Sequence, residues 1–180
     1  MAEKVILVDE KDNMIGEMEK MEAHEKGLLH RAFSIFVFNE QDEMLIQQRA
    51  IKKYHSGGLW TNTCCSHPRK GESDEAAAHR RLMEEMGFDC PLIEAFSFTY
   101  QAEFGNGLTE HEFDHVFIGY YNEAPAINKD EVEDYQWLSL AETEKQIEEM
   151  PEKFTEWFKL IFHKLKDFYA DNRKSKKQSI

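Results

Sequence analysis

Ser73-Asp74-Glu75-Ala76-Ala77-Ala78-His79-Arg80-Arg81-Leu82-Met83-Glu84-Glu85-Met86-Gly87-Phe88 reads as one helix with both ends marked. Ser73 is an N-cap residue, and Asp74 and Glu75 oppose the helix dipole in the first turn. Gly87 supplies the stop, so the spacing predicts a helix from Asp74 to about Met86. Arg81 and Glu85 lie four apart and share a face; the bland reading is a surface ion pair worth a few tenths of a kcal/mol.

Working outward, Val5 to Val8 and Met14 to Glu17 predict a hairpin around Asp9 to Asn13. Ala32 to Phe38 and Glu43 to Arg49 predict a second around Asn39 to Asp42. Gly57 to Lys70 reads as irregular. Ile93 to Glu103 and Glu110 to Tyr121 predict a third hairpin around Gly105-Asn106-Gly107, followed by a strand near Tyr135 to Leu138. Ser139 and Glu142 form a capping box for a helix to about Glu149. Pro151 separates it from a final helix, on which Phe154, Trp157, Phe158, Ile161, Phe162 and Leu165 recur at helical spacing.

These elements predict a single compact α+β domain over residues 1–170, with residues 171–180 a basic, frayed tail. A 41% hydrophobic content supports a packed core in this 180-residue chain, and no apolar run reaches the roughly 20 residues of a membrane span. The start Met1-Ala2-Glu3-Lys4 lacks the basic and apolar regions of a signal peptide, and three cysteines make a poor disulfide framework. A cytoplasmic protein is expected. The net charge of -13 argues against a nucleic-acid surface, and it requires any anionic ligand to be met by a local cluster of cations or metals. No membrane partner and a monomer or weak homodimer are expected.

Candidate ligands are scattered along the chain. Glu110, Glu112 and Asp114 alternate along one strand face, which in most proteins is simply solvated. His24, His30 and His67 add nitrogen donors, and three histidines with two glutamates suit a divalent transition metal. By spacing alone such a set is a weak signal.

Arg80 to Phe88 resembles the distal half of the Nudix box, whose helix presents glutamates to a metal and a diphosphate. The box is broken: with Gly71 as its glycine, Ala77 stands where an early glutamate is expected, and Arg81 replaces the first core glutamate. His30-Arg31-Ala32-Phe33-Ser34, Gln48-Arg49, Trp60-Thr61-Asn62-Thr63-Cys64-Cys65-Ser66-His67-Pro68 and Tyr135-Gln136-Trp137, with Glu110-His111-Glu112, resemble the type I isopentenyl-diphosphate isomerases. The resemblance runs from about Val5 to Phe168.

It implies a Nudix-like mixed β-sheet sandwich with flanking helices. It also implies interconversion of isopentenyl and dimethylallyl diphosphate by a 1,3 proton shift through a tertiary carbocation. The family's proton carriers match Cys65 and Glu112, with Tyr100 as a relay and Trp157 against the alkene. Its metal ligands match His24, His30, His67, Glu110 and Glu112, for Mn²⁺, Zn²⁺ or Mg²⁺. Its diphosphate cations match Arg49, Lys53 and Arg81, with Lys20 from the N-terminal segment, and Mg²⁺ would bridge the diphosphate to Glu85. His55, His79, His111, His115 and His163 match no ligand position and read as structural or surface residues. A Nudix-type diphosphate hydrolase is the alternative, and a non-catalytic metal-binding module would give Cys65 no purpose.

Overall fold

A computed structural model describes the backbone of residues 2–178 and the side chains of residues 2–172. The order is β1 (Lys4–Val8), β2 (Met14–Glu19), α1 (Lys20–Lys26), β3 (His30–Phe38), β4 (Glu43–Arg49), β5 (Trp60–Thr61), β6 (Cys64–Ser66), α2 (Asp74–Met86), β7 (Leu92–Glu103), β8 (Thr109–Tyr120), β9 (Val132–Ser139), α3 (Leu140–Glu149), and α4 (Glu156–Gln178). Helical backbone thus continues through Gln178. The tail expected at 171–180 lies largely outside the described residues in its side chains, and Ser179 and Ile180 lie wholly outside them.

β3 is the spine of the mixed sheet. It runs parallel to β8 from His30↔Glu112 to Phe38↔Tyr120 and antiparallel to β6 at Phe33↔Ser66, Ser34↔Cys65 and Ile35↔Cys64. All of its residues but Arg31 are buried, which is why its alternation is hidden in the sequence. Phe33, Ile35 and Val37 pack with Ala77, Ala78, Leu82 and Met86 of α2. Phe36 and Phe38 point the other way, against Trp157, Phe158, Ile161 and Phe162 of α4. Two helices therefore cover opposite faces of one sheet.

Two expectations need correction. The β3–β4 hairpin pairs only at its tip, Phe38↔Met44; β4 instead lies along β9 from Glu43↔Ser139 to Arg49↔Val132. The two strands diverge because each finds a longer partner elsewhere. The irregular stretch 57–70 holds β5 and β6, too short to show a period. The N-terminal segment folds as α1, capped by Glu19 and ended by Gly27 in the left-handed region at φ 62°.

Gly87 ends α2 with φ 71°, and a Cβ there would lie 2.2 Å from the Ala126 carbonyl oxygen. Gly87→Ala is expected to lower stability by roughly 2–4 kcal/mol, summing left-handed strain and overpacking. Chemical denaturation measures this; a loss under about 1 kcal/mol would mean that the 124–128 loop yields freely. No helix among the described residues is long and apolar enough to cross a membrane.

Candidate active site

The parallel register of β3 and β8 puts His30 directly beside Glu112, and β6 runs on to bring His67 to the same place. His24 arrives from the last turn of α1. The ring centroids lie 4.9 Å apart for His24 and His30, and 5.1 Å for His30 and His67. Glu112 Oε1 is 2.9 Å from His67 Nε2 and 3.4 Å from His30 Nε2. All four residues are buried, with one ligand atom from each within 4.8 Å of the others.

The tautomers follow from the backbone. His24 Nδ1 donates to the Lys20 carbonyl at 2.6 Å, and His30 Nδ1 donates to the Leu28 carbonyl at 2.8 Å, since a carbonyl can only accept. Each ring turns its Nε2 inward, and both atoms are buried with no hydrogen-bond partner among the described residues. Burial holds His24 below the ordinary imidazole value and brings His67 down to about 4. Neutral imidazoles fixed by backbone carbonyls beside a carboxylate fit a divalent ion with nitrogen and oxygen ligands.

The strand face expected to be solvated is buried. Glu110, Glu112 and Asp114 are 5%, 6% and 1% exposed, because α1 and the 50–60 loop close over them. Tyr100, opposite Glu112 on β7, places its hydroxyl 2.6 Å from Glu112 and 3.0 Å from Glu110. One phenolic proton cannot serve both carboxylates. Burial, then the charge of Glu112, pushes Glu110 well above the usual carboxylate range. Burial acts likewise on Glu112, but the imidazoles of His67 and His30, 2.9 and 3.4 Å away, outweigh it and hold Glu112 well below that range.

His55 also belongs here, and the sequence reading missed it. Its ring stacks on Phe104 at 5.0 Å, its Nε2 lies 3.6 Å from Glu110 Oε1, and it forms a second ligand-capable group with His24 and Glu110. Burial, then the Arg49 charge, lowers it to about 3. Nothing in Lys52-Lys53-Tyr54-His55-Ser56 marks it; only the folding of that loop over β8 does. His111 donates to the Gly27 carbonyl through Nδ1 at 3.1 Å, outside the cluster.

Strand alternation separates the adjacent cysteines. Cys64 is fully buried in the core against α2, whereas Cys65 is partly exposed and lines a cavity of about 1070 Å³ shared with Tyr100, Glu110, Glu112 and Trp157. Burial pushes the Cys65 thiol up, so it holds its proton at neutral pH. Trp157, 2% exposed, forms part of the wall, with the Arg49 guanidinium 5.1 Å from its ring centroid.

The cavity is also lined by Lys20, Arg49, Lys53 and Arg81. Three of these cations are held by carboxylates: Lys20 by Glu3 at 3.1 Å, Lys53 by Glu131, and Arg81 by Glu84 at 2.6 Å and Glu85 at 2.5 Å. Glu85 also accepts from Gln47 at 2.8 Å and is 6% exposed, so the Arg81–Glu85 pair is no loose surface contact. The reading of Ala77 is corrected. Ala77 is fully buried in the apolar core, where a carboxylate could not reach the cavity. The carboxylate preceding α2 is Glu72, gripped by Arg80 at 2.7 and 2.8 Å.

A NUDIX domain model matches residues 28–158. Isopentenyl-diphosphate Delta-isomerase 2 of Photorhabdus laumondii is 56% identical over 165 residues, covering 92% of this chain and 93% of that one. Isopentenyl-diphosphate Delta-isomerase of Pectobacterium atrosepticum is 51% identical over 166 residues, covering 92% and 93%. The crystal structure of the Deinococcus radiodurans protein DR0079 superposes with a TM-score of 0.69 at 20% identity, covering 82% of this chain and 90% of that one. The MutT protein of Methanosarcina mazei gives 0.63 at 21%, covering 80% and 95%. At such identities the structural likeness speaks for the fold alone.

Proposed function

The chain belongs to the isopentenyl-diphosphate Delta-isomerase family, an enzyme family built here on a NUDIX fold, and on that premise we propose that Cys65 and Glu112 are its two proton carriers. The observation that carries the proposal is that one cavity is lined by the Cys65 thiol, the Glu112 carboxylate, the Trp157 ring and a bank of cations.

The substrate is an isopentenyl diphosphate whose anionic end meets Lys20, Arg49, Lys53 and Arg81. Its alkene lies by Trp157. A proton added to the terminal alkene carbon leaves a tertiary cation at the branched carbon; loss of a proton from the neighbouring methylene gives dimethylallyl diphosphate. One carrier gives and the other takes, and exchange with water restores the starting state. Tyr100, hydrogen-bonded to Glu112, relays its proton. The ring of Trp157 stabilises the cation and offers it no base.

His24, His30, His67, Glu110 and Glu112 hold a divalent ion of the Mn²⁺, Zn²⁺ or Mg²⁺ class. When bound, it supplies a fixed positive charge that tunes the proton affinity of Glu112. Glu85 holds Mg²⁺ that accompanies the diphosphate, since Mg²⁺ favours one or two carboxylates with substrate phosphates. Arg81 in place of a helix glutamate disfavours hydrolysis. Turnover of isopentenyl diphosphate with Mg²⁺ in deuterated water tests the reaction: labelled dimethylallyl diphosphate is expected, and released phosphate instead would overturn it.

Glu85→Gln is expected to raise the Mg²⁺ requirement and the KM while leaving the histidine-site metal bound. Arg81→Ala should act in the same direction, through lost charge-assisted hydrogen bonds of roughly 1.5–3 kcal/mol. Mg²⁺ titration of the rate, with metal content measured in parallel, checks both. An unchanged Mg²⁺ dependence in Glu85→Gln would reduce that carboxylate to its contacts with Gln47 and Arg81.

A further inference from the structure

His115, read from the sequence as structural or surface, is the centre of a second cluster on the far side of β8 from Glu112. Its Nε2 lies 2.9 Å from Asp12 Oδ2 and 3.7 Å from Asp74 Oδ2. Its Nδ1 lies 2.6 Å from Glu94 Oε1. The His115 side chain is 12% exposed and those of Asp12 and Asp74 are 19% and 24% exposed. The four residues come from the β1–β2 turn, the first residue of α2, β7 and β8. We propose that Asp12, Asp74 and His115 form a structural site for a first-row divalent cation such as Zn²⁺, separate from the catalytic cavity.

Three observations support it. Glu94 accepts from Nδ1–H, which leaves Nε2 as the ligand atom; a carboxylate behind a histidine is the usual support of a metal-bound imidazole. One ligand atom from each of the three residues lies within 4.8 Å of the others. Bonds of about 2.0–2.2 Å to a tetrahedral ion place neighbouring ligands roughly 3.3–3.6 Å apart, between the two distances found here. Finally, Asp74 Oδ1 is buried without a hydrogen-bond partner among the described residues. With the imidazole neutral, three carboxylates face one permanent cation, Arg31, whose Nε donates to Asp12 Oδ1 at 2.7 Å. That leaves two negative charges unmatched, which a divalent ion closes. Mixed imidazole and carboxylate donors favour Zn²⁺, Co²⁺ or Mn²⁺ over Ca²⁺.

The ion would tie together elements distant in sequence. Asp12 belongs to the hairpin that leads into α1, with Lys20 and His24, while Asp74 opens the helix that carries Arg81 and Glu85. In the metal-free protein a proton on His115 holds this place, since burial lowers its affinity but Glu94, Asp74 and Asp12 raise it further. Metal must displace that proton, so binding strengthens in mildly alkaline buffer.

Equilibrium dialysis of the full chain against Zn²⁺ at mildly alkaline pH tests the site. Wild type should hold one more equivalent per chain than His115→Gln or Asp12→Asn, while both variants keep wild-type turnover with the catalytic metal supplied. In a His67→Ala background one equivalent should remain, and adding His115→Gln should remove it. Asp12→Asn, in a surface turn, keeps the test valid if His115→Gln fails to fold. Equal stoichiometry in wild type and Asp12→Asn, or no equivalent left in His67→Ala, would overturn the proposal.

Discussion

Cys65→Ala and Glu112→Gln are each expected to abolish isomerisation, by at least about 10³-fold in kcat, and to leave the fold intact, since each removes one of the two proposed proton carriers. Cys65 is only partly buried and sits at a cavity wall, so truncating it costs little packing. Glutamine at 112 keeps the shape and can still meet the Tyr100 hydroxyl, but it cannot carry the proton. Cys64→Ala is the control. Its sulfur is fully buried against α2, so its loss should cost roughly 1 kcal/mol of stability and little activity. Rates with isopentenyl diphosphate, with circular dichroism of each variant, decide the matter. An inactive Cys64→Ala beside an active Cys65→Ala would place the reacting sulfur on the wrong face of β6.

His67→Ala empties the histidine-site metal almost completely and takes turnover with it. His67 is 2.9 Å from Glu112 and links β6 to the β3–β8 pair, so its loss removes the imidazole nearest that carboxylate. Elemental analysis after dialysis reads the loss, and retention at wild-type stoichiometry would remove His67 from the site. The pH dependence has a definite direction. Burial holds His24 and His67 below the ordinary value, His67 near about 4. From about pH 6.5 downward these two histidines therefore bind more protons in the unfolded chain than in the folded one, and their contribution to stability falls. Stability of the metal-free protein, present above that pH, falls as pH drops toward 4, and metal release occurs in the same window because neutral imidazole is the ligand. A metal-free unfolding midpoint unchanged across that range would contradict this account.

α2 was legible because its signals are local. Ser73, Asp74, Glu75 and Gly87 act within a turn of where they stand, and the structure places the helix at Asp74–Met86. The third hairpin was legible for the same reason, with its turn at Gly105-Asn106-Gly107. The family motifs named Cys65, His67, Glu110 and Glu112 by number, and the structure brings all four to one cavity with Tyr100 and Trp157.

What the sequence determined alone was therefore the longer elements, the family, and the chemical kinds of side chain available. Tertiary structure decided which of them meet. The parallel β3–β8 register sets His30 beside Glu112 across 82 positions of chain, and β6 pairing turns Cys65 one way and Cys64 the other. Burial of Glu110, Glu112 and Asp114, the recruitment of His55, the exclusion of Ala77 and the cluster around His115 were all invisible beforehand. Each depends on contacts between residues far apart in sequence, and on a low-dielectric surrounding that exists only once the chain has closed over them.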